Sequence, residues 1–518
     1  EEMSLACSTL PKQVLTASDL SLAPWLSNSS FFRLKTEIVK AIGVEWEQVE
    51  DVAPTTALQR GMILDALQDP GRRTYVHSFT YQLGRVDAQR LHAALLDLIR
   101  RRSTLRSRFA LDAAAGATQI VLKAEHCHDI VLPIRDCRDD PEIRAAVEEL
   151  SSDAGIGDFR SAPCRFGIFR SASGDVSMVW VMSHALYDGW SIGILEREYR
   201  ILYDSRTVDD LDVIGEDVPF SNVARFLGLR DNEEDIQFWS GFMQGAQALP
   251  LSKASTRSLP GDELGRQWIA RGQTEAVCNG TAKLPGIPLS TIFIFAAAAT
   301  LGAYYDVDDV TFGLVLSGRT LPINGIERIV GPCINTMPCR LRLTKEANVL
   351  QHLGQFQNDL DRVQDHASVG LLEATQAASV SGPAITRVLL DFDGYSDSSV
   401  GLPNDAHVEP GHVSVQSISK AGPSDLTITG SITPEGRLQV HLLAGEAILI
   451  SEDAGAMALK ICQLVESMNT SHGNLSLREV QAVGMEERAQ ILDFAQGSSW
   501  LEAGEYESAL ARQLSTIS

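Results

Sequence analysis

The sequence predicts an α/β protein built from two halves of similar size. Its 518 residues exceed what one ordinary core accommodates, and chains of this length form two to four units. Hydrophobic residues make up 44% of the chain and charged residues 21%, the proportions of a folded globular protein. Segments of strand character alternate with segments whose apolar residues recur at helical spacing, which is the order of an α/β fold. The aspartate-rich stretch 208–218 is the expected crossing between the halves, so we place the division near residue 215.

Strands and helices alternate in the predicted first half. Residues 1 to about 30 show no period and are expected to form a linker. Apolar residues at helical spacing and a stop at Gly43 predict a helix over 31–42. The further predicted elements are a short helix at 57–64, a strand at 74–83, a helix at 87–101, strands at 166–169 and 176–182, and a helix at 191–203.

The same alternation returns in the second half. Its predicted elements are a helix ending at 239, a helix at 289–304, strands at 310–316, 335–343 and 387–392, a hairpin of strands 426–432 and 438–443 turning at 434–436, and helices at 452–468 and 506–514. The expected domains are an N-terminal linker and lead-in helix at 1–47, one lobe at 48–215, a second lobe at 216–468, and a linker toward a following domain at 469–518.

Charge and cysteine usage exclude several classes of protein. The net charge of −23 argues against nucleic acid and against an anionic membrane surface as partners. The longest apolar run, 292–303, is too short to span a bilayer. The eight cysteines form no C-x-x-C pair, and no signal peptide is visible, so we expect a cytoplasmic piece of a longer protein. The triplet 126–128 (His-Cys-His) lacks a second ligand pair, so no metal is expected.

Residues 183–189, which read Ser-His-Ala-Leu-Tyr-Asp-Gly, form the candidate site. His184 follows the apolar run 176–182 and therefore stands where a buried strand turns into a loop. An imidazole in that place can take up a proton near neutral pH, and Asp188 can help to fix the loop. Ser183 precedes His184 directly on a strand, so the two side chains point to opposite faces and Ser183 is no hydrolase nucleophile.

The segment 183–189 closely resembles the H-H-x-x-x-D-G signature of the condensation domains of nonribosomal peptide synthetases. Four further segments resemble signatures of that family and occur in its order. They are 56–62 (Thr-Ala-Leu-Gln-Arg-Gly-Met, like TPLQEGM), 101–106 (Arg-Arg-Ser-Thr-Leu-Arg, like RHxxLR), 310–319 (like DVVFGxxxSGR) and 330–338 (Val-Gly-Pro-Cys-Ile-Asn-Thr-Met-Pro, like IGPFVNTLP).

This resemblance implies a fold and a reaction. The fold is a V-shaped pseudo-dimer of two chloramphenicol-acetyltransferase-like lobes with a central tunnel. Donor and acceptor peptidyl carrier domains, next to other synthetase domains, bring substrates to the tunnel on phosphopantetheine arms. The domain binds no cofactor of its own and lets an amine, or a hydroxyl, attack the donor thioester.

The resemblance also implies roles for the motif residues. His184 is the histidine that the family uses catalytically, either as a base or to orient the nucleophile. Asp188 is expected to form a structural ion pair, with Arg319 and Arg106 as candidate partners. Gly189 is expected to allow a close backbone approach or a positive φ angle. Trp190 is expected to pack rather than to bind substrate.

Departures from the family pattern leave the exact reaction open. Ser183 replaces the first histidine of the signature, a variant that resembles fungal terminal domains, which release a peptide by macrocyclisation. Arg102 replaces the histidine of the RH pair, and QDxPFE survives only as Gln364-Asp365. A catalytically silent module that docks carriers is the alternative of another class, and epimerisation shares the fold. Residues 500–518 resemble the lead-in helix of a carrier domain, an arrangement similar to the tail of fungal hydroxamate siderophore synthetases.

Overall fold

A computed structural model describes residues 15–68, 74–112, 116–127, 129–153, 159–204, 214–251, 271–278, 284–395, 413–417, 424–445, 451–470 and 476–478. The helix predicted at 506–514 lies outside these residues. Within them, every helix and strand expected from the sequence overlaps an element of the structure. Among the described residues, no helix combines the length and the apolar character that crossing a lipid bilayer requires.

The predicted elements occur in the expected order, and further helices and strands lie between them, so that runs of strands and runs of helices interrupt the alternation. The helices are α1 (Asn28–Arg33), which continues through a π-helical turn (Leu34–Ile38) into α2 (Val39–Ala41), α3 (Ala57–Gln68), α4 (Ala88–Arg101), α5 (Asp140–Asp153), α6 (Gly189–Asp204), α7 (Ser221–Leu229), α8 (Glu233–Phe242), α9 (Leu289–Tyr305), α10 (Val349–Asp365), α11 (Leu371–Ala377), α12 (Gly382–Ile385) and α13 (Ser451–Thr470). The strands are β1 (Val49–Pro54), β2 (Val76–Gly84), β3 (Ser107–Asp112), β4 (Gly116–Leu122), β5 (Arg135–Asp136), β6 (Cys164–Arg170), β7 (Val176–Ser183), β8 (Arg271–Val277), β9 (Asp309–Leu316), β10 (Asn335–Arg342), β11 (Val388–Tyr395), β12 (Val413–Ser417), β13 (Leu426–Ile432) and β14 (Leu438–Gly445).

The first structural unit comprises the described residues up to Asp231, the segment Ser317–Asn335 and β12. It holds a three-stranded sheet of order β1-β4-β3 and a five-stranded sheet of order β12-β2-β7-β6-β5. Strand β7 lies between β2 and β6, and all of its residues are buried. A continuous apolar run is what a central strand covered on both faces requires.

Residues 15–30, expected to form a linker, are packed onto the core of the first unit. Leu20 and Leu22 are buried in that core. The backbone N–H of Leu22 donates to the carbonyl of Val52 (2.8 Å), and Ser21 donates to the carboxylate of Asp51. Single apolar residues in a short irregular segment carry no period, which is why the sequence pattern missed this contact.

The second unit contains a six-stranded sheet of order β10-β9-β11-β13-β14-β8. Strands β9, β11 and β13 run parallel, whereas the hairpin β13–β14 and its neighbour β8 are antiparallel. Helix α9 packs against α10, α13 and the sheet, and its residues from Thr291 to Gly302 are buried. The turn predicted at 434–436 is confirmed, with Gly436 at a φ of +79°.

Candidate active site

The end of strand β7 places His184 at the edge of the first unit's sheet. The backbone N–H of Ser183 donates to the carbonyl of Pro163 (2.8 Å), and that of His184 donates to the carbonyl of Tyr75 (2.7 Å). A turn then follows, in which the N–H of Leu186 donates back to the carbonyl of Ser183 (3.0 Å). Ser183 and His184 are therefore each hydrogen-bonded through the backbone at the point where β7 ends. The side chain of His184 is half-buried.

The turn fixes the tautomer of the His184 imidazole. Its Nδ1 lies 2.7 Å from the backbone carbonyl oxygen of Tyr187. A carbonyl oxygen can only accept a hydrogen bond, so the neutral ring carries its proton on Nδ1 and a lone pair on Nε2. The phenol ring of Tyr187 stacks on the imidazole with a centroid distance of 4.8 Å and an interplanar angle of 8°. An imidazole held in this way presents a base at Nε2.

Asp188 anchors the loop by pairing with Arg319, and not with Arg106, the other candidate partner. The guanidinium Nη2 of Arg319 lies 2.8 and 2.9 Å from the two carboxylate oxygens. The backbone N–H and the hydroxyl of Ser191 donate to Oδ1 (2.8 and 2.7 Å), and the N–H of Cys333 donates to Oδ2 (3.0 Å). Asp188 is fully buried, and these five hydrogen bonds reach both of its carboxylate oxygens. The carboxylate therefore fixes the loop.

Arg106, the other candidate, has different partners. Its guanidinium pairs with the carboxylate of Glu50, with Nη1 to Oε2 at 2.5 Å and Nη2 to Oε1 at 3.2 Å, and it also donates to the carbonyl of Leu122. It thereby ties β1 to the end of β4. Arg102, which stands in place of the family's histidine, is also buried and pairs with Glu198 and Asp217. Both arginines are part of the framework of the first unit.

Gly189 and Trp190 differ from expectation. Gly189 begins helix α6 and does not adopt a positive φ, so that part of the prediction is wrong. Trp190 was expected to pack, but its side chain is 58% exposed because it stands on the outer face of the first turn of α6. Its indole N–H donates to the carbonyl of Glu327 (3.0 Å), and one ring face lies 5.7 Å from the Arg319 guanidinium.

The structure adds residues that sequence reasoning missed. Ser191 bridges the loop to Gly331, since its hydroxyl lies within hydrogen-bond distance of both the carbonyl and the N–H of that residue. His77 on β2 lies beside the imidazole of His184, with ring centroids 5.4 Å apart. Ser183 is buried, and its hydroxyl accepts a hydrogen bond from the N–H of Ala185 (3.3 Å). None of these contacts has a local signal in the sequence other than the spacing of Asp188 and Ser191, which is that of a helix N-terminus.

The described part of the chain holds no cluster of three or more His, Cys, Asp or Glu side chains arranged to bind a metal ion. The seven described cysteines are free thiols, and all of them are buried.

A buried strand that ends in a fixed imidazole presents a group that can accept a proton in acyl transfer. The model of the condensation domain family matches residues 49–492, which is most of the chain. The chain therefore belongs to the condensation domain family, whose members are acyltransferases that form peptide bonds between carrier-tethered substrates.

Curated relatives agree with this assignment. Bacitracin synthase 3 of Bacillus licheniformis is 24% identical over 455 residues, which cover 86% of this chain and 7% of that protein. Nonribosomal peptide synthetase 4 of Gibberella zeae is 29% identical over 360 residues, which cover 68% of this chain and 4% of that protein. This chain thus spans less than a tenth of the length of either relative.

The predicted fold class is confirmed by structural similarity. The condensation domain from the monacolin K polyketide synthase MokA superimposes with a TM-score of 0.64 at 14% identity, covering 83% of this chain and 100% of that chain. At this identity the likeness shows the fold alone, which is the two-lobed, chloramphenicol-acetyltransferase-like α/β fold. The V-shaped arrangement of the lobes and the tunnel between them stay predictions.

Proposed function

We propose that this domain transfers a donor acyl group from a carrier-bound thioester to the amine, or the hydroxyl, of an acceptor on a second carrier. Both substrates arrive on phosphopantetheine arms, and His184 is the group that takes the proton. The observation that carries the proposal is the hydrogen bond from Nδ1 of His184 to the carbonyl of Tyr187 (2.7 Å), because it leaves the Nε2 lone pair as the acceptor.

The reaction needs little more than this base. A thioester is already activated, so the main task is to hold the nucleophile against its carbonyl carbon. As the nitrogen–carbon bond forms, the amine proton passes to Nε2 of His184, and the carbon–sulfur bond then breaks. The imidazolium returns the proton to the departing thiolate of the donor arm. The Tyr187 carbonyl stabilises the positive ring through the Nδ1–H in the meantime.

The substitution at Ser183 favours a close variant of this function. In a terminal domain, the nucleophile belongs to the same peptide as the thioester, and its attack releases a macrocycle. Ser183 is buried and accepts its hydrogen bond from the backbone of the turn, so it supports the loop without a second imidazole. The Ser-His signature is also the reason to propose a fungal source, and product structure distinguishes the variants, since cyclisation leaves no loaded acceptor carrier.

Replacement of His184 by alanine in the full synthetase tests the proposal. We expect product formation to fall by about two to four orders of magnitude, the range that general acid–base catalysis supplies. His92→Ala, a half-exposed histidine of helix α4, is the matched control and leaves the rate unchanged. Unchanged product yield and carrier loading in His184→Ala would instead favour the alternative of a catalytically silent module that docks carriers.

A further inference from the structure

Three aromatic side chains form a closed group around the proposed base. The phenol oxygen of Tyr187 lies 2.5 Å from Nδ1 of His77, and the ring of Tyr187 stacks on that of His184. The ring of His77 meets the ring of His184 edge to face, with an interplanar angle of 69°. His77 comes from strand β2, where it pairs with Met182 of β7, so the strand register brings it beside the loop.

We infer that His77 and Tyr187 are positioning residues that hold the imidazole of His184 in the orientation and tautomer that transfer requires. This inference rests on the proposed function of His184 and adds two residues that lie outside the family signature or in one of its variable positions. Tyr187 acts through its backbone and its side chain at once. Its carbonyl accepts from Nδ1, its ring covers one face of the imidazole, and its hydroxyl is tied to a neighbouring strand.

The positions of the protons in this group follow from burial. Burial raises the pKa of the Tyr187 phenol well above its ordinary value of 10, so the hydroxyl keeps its proton. Burial, and then the charge of His184, lower the pKa of His77 to about 3, so this ring stays neutral. The Tyr187 hydroxyl therefore donates to the Nδ1 lone pair of His77, and His77 carries its own proton on Nε2.

A neutral His77 matters for the charge that develops beside it. When His184 takes the amine proton, it becomes an imidazolium with a ring centroid 5.4 Å from that of His77. A second positive ring at that distance would repel it, whereas a neutral ring does not. The hydrogen bond from Tyr187 occupies the lone pair at which His77 would otherwise be protonated. The arrangement thus fixes the base in place without opposing its protonation.

Two substitutions each remove the hydrogen bond between the Tyr187 hydroxyl and Nδ1 of His77, one by deleting the donor and the other by deleting the acceptor. Tyr187→Phe deletes the hydroxyl but keeps the stacked ring and the backbone carbonyl, and His77→Ala deletes the acceptor. Loss of one buried hydrogen bond is worth about 1 to 1.5 kcal/mol, so we expect about a tenfold fall in the single-turnover rate of bond formation. The dependence of that rate on acceptor carrier concentration stays unchanged, because neither side chain is proposed to touch the carrier. His77→Asn, whose amide oxygen takes the place of Nδ1, restores part of the rate.

Tyr199→Phe is the matched control, since Tyr199 is also buried in the first unit but its hydroxyl has no partner among the described residues. It leaves the rate unchanged. The tautomer is read directly from ¹⁵N chemical shifts of histidine-labelled chain, in which the His184 signals are identified by their absence in His184→Ala. We expect Nδ1–H in the parent chain and a smaller fraction of this tautomer in Tyr187→Phe, because the carbonyl remains but the ring stacked on the imidazole is no longer tied to β2.

Different results separate this inference from the proposed function. Rates of Tyr187→Phe and His77→Asn equal to that of Tyr199→Phe, with an unchanged His184 tautomer, would overturn the positioning role even if His184→Ala slowed transfer as proposed. Full activity of His184→Ala would overturn the proposed function itself. If His77→Ala does not fold, the comparison of Tyr187→Phe with Tyr199→Phe decides, because both keep a buried aromatic ring of the same size.

Discussion

The buried ion pair between Arg319 and Asp188 gives a quantitative prediction for stability. In Arg319→Ala the carboxylate of Asp188 stays in the interior and loses both guanidinium contacts, at 2.8 and 2.9 Å. The side chains of the two residues are 8% and 1% exposed, so water does not replace the lost partner. Removing one member of a buried pair costs about 3 to 5 kcal/mol, because the remaining charge is left uncompensated. We therefore expect the free energy of unfolding to fall by that amount.

A surface pair of the same type is the matched control. Arg100 lies 2.8 Å from Asp97 on helix α4, with side chains 59% and 51% exposed. Arg100→Ala is expected to cost about 0 to 1 kcal/mol, since exposed pairs are screened by water and salt. Urea-induced unfolding, followed by tryptophan fluorescence and extrapolated linearly to water, measures both variants.

A double substitution tests the reasoning more strictly. Asp188→Ala together with Arg319→Ala removes the charge that the single substitution leaves behind. The double variant is therefore expected to be more stable than the sum of the two single effects predicts, by at least about 1 kcal/mol. A cost of Arg319→Ala no larger than that of Arg100→Ala, or strictly additive single effects, would refute the interpretation of Asp188 as a buried charge that depends on Arg319.

Three other perturbations have defined outcomes. Gly318→Ala is expected to lower the melting temperature, because φ is +63° and an added Cβ would clash with the carbonyl oxygen of Cys333. In contrast, a Cβ added at Gly193 on α6 meets no atom of the described residues within 4 Å, so Gly193→Ala is expected to raise the melting temperature. Burial raises the pKa of the Cys164 and Cys333 thiols to about 12, so iodoacetamide at pH 8 is expected to label them only after unfolding, as mass spectrometry of the modified peptides would show. Burial, and then the negative charge of Asp393, raise the pKa of Asp391 to about 7. The folded state therefore binds this proton more tightly than the unfolded chain does, and the resulting stability is lost as pH rises from about 4 to 7. Asp391→Asn is therefore expected to be more stable than the parent chain at pH 8 and not at pH 4; an equal difference at both pH values contradicts this.

The elements that the sequence predicts well are those with one dominant pattern. Strand β7 is apolar apart from Ser177 and the terminal Ser183, and helices α4 and α6 carry apolar stripes, so their positions are found within a few residues. The hairpin of β3 and β4 was missed, because Arg108 and Gln119 are buried at places where a strand pattern calls for apolar residues. Arg108 pairs with Asp129, and Gln119 donates to the carbonyl of Pro54, contacts that no local window contains.

The contacts of the candidate site are of two kinds: some join residues close together in the sequence, and others join residues far apart in it. The contact of His184 with the carbonyl of Tyr187 spans three residues, so the tight turn that follows a buried strand is enough to form it. The partner of Asp188 is 131 residues away in the sequence. The sequence offers Arg106 and Arg319, both in family-like segments, as partners of Asp188 and does not distinguish between them. The fold places Arg106 beside Glu50 and Arg319 beside Asp188.

This division bears on how His184, the proposed base, is kept in place. The turn by itself can form the hydrogen bond to Nδ1. A single local hydrogen bond hardly offsets the entropy lost on fixing the chain, so a turn without further support would not keep it formed. Asp188 stands at the end of the turn. It accepts five hydrogen bonds, which come from Ser191 of α6, from Arg319 and from Cys333. The distant contacts therefore hold the end of the turn, and the local contact then holds the ring. An imidazole fixed in this order keeps its lone pair on Nε2 before any substrate arrives, which is the condition that a base needs if positioning is not to add to the barrier.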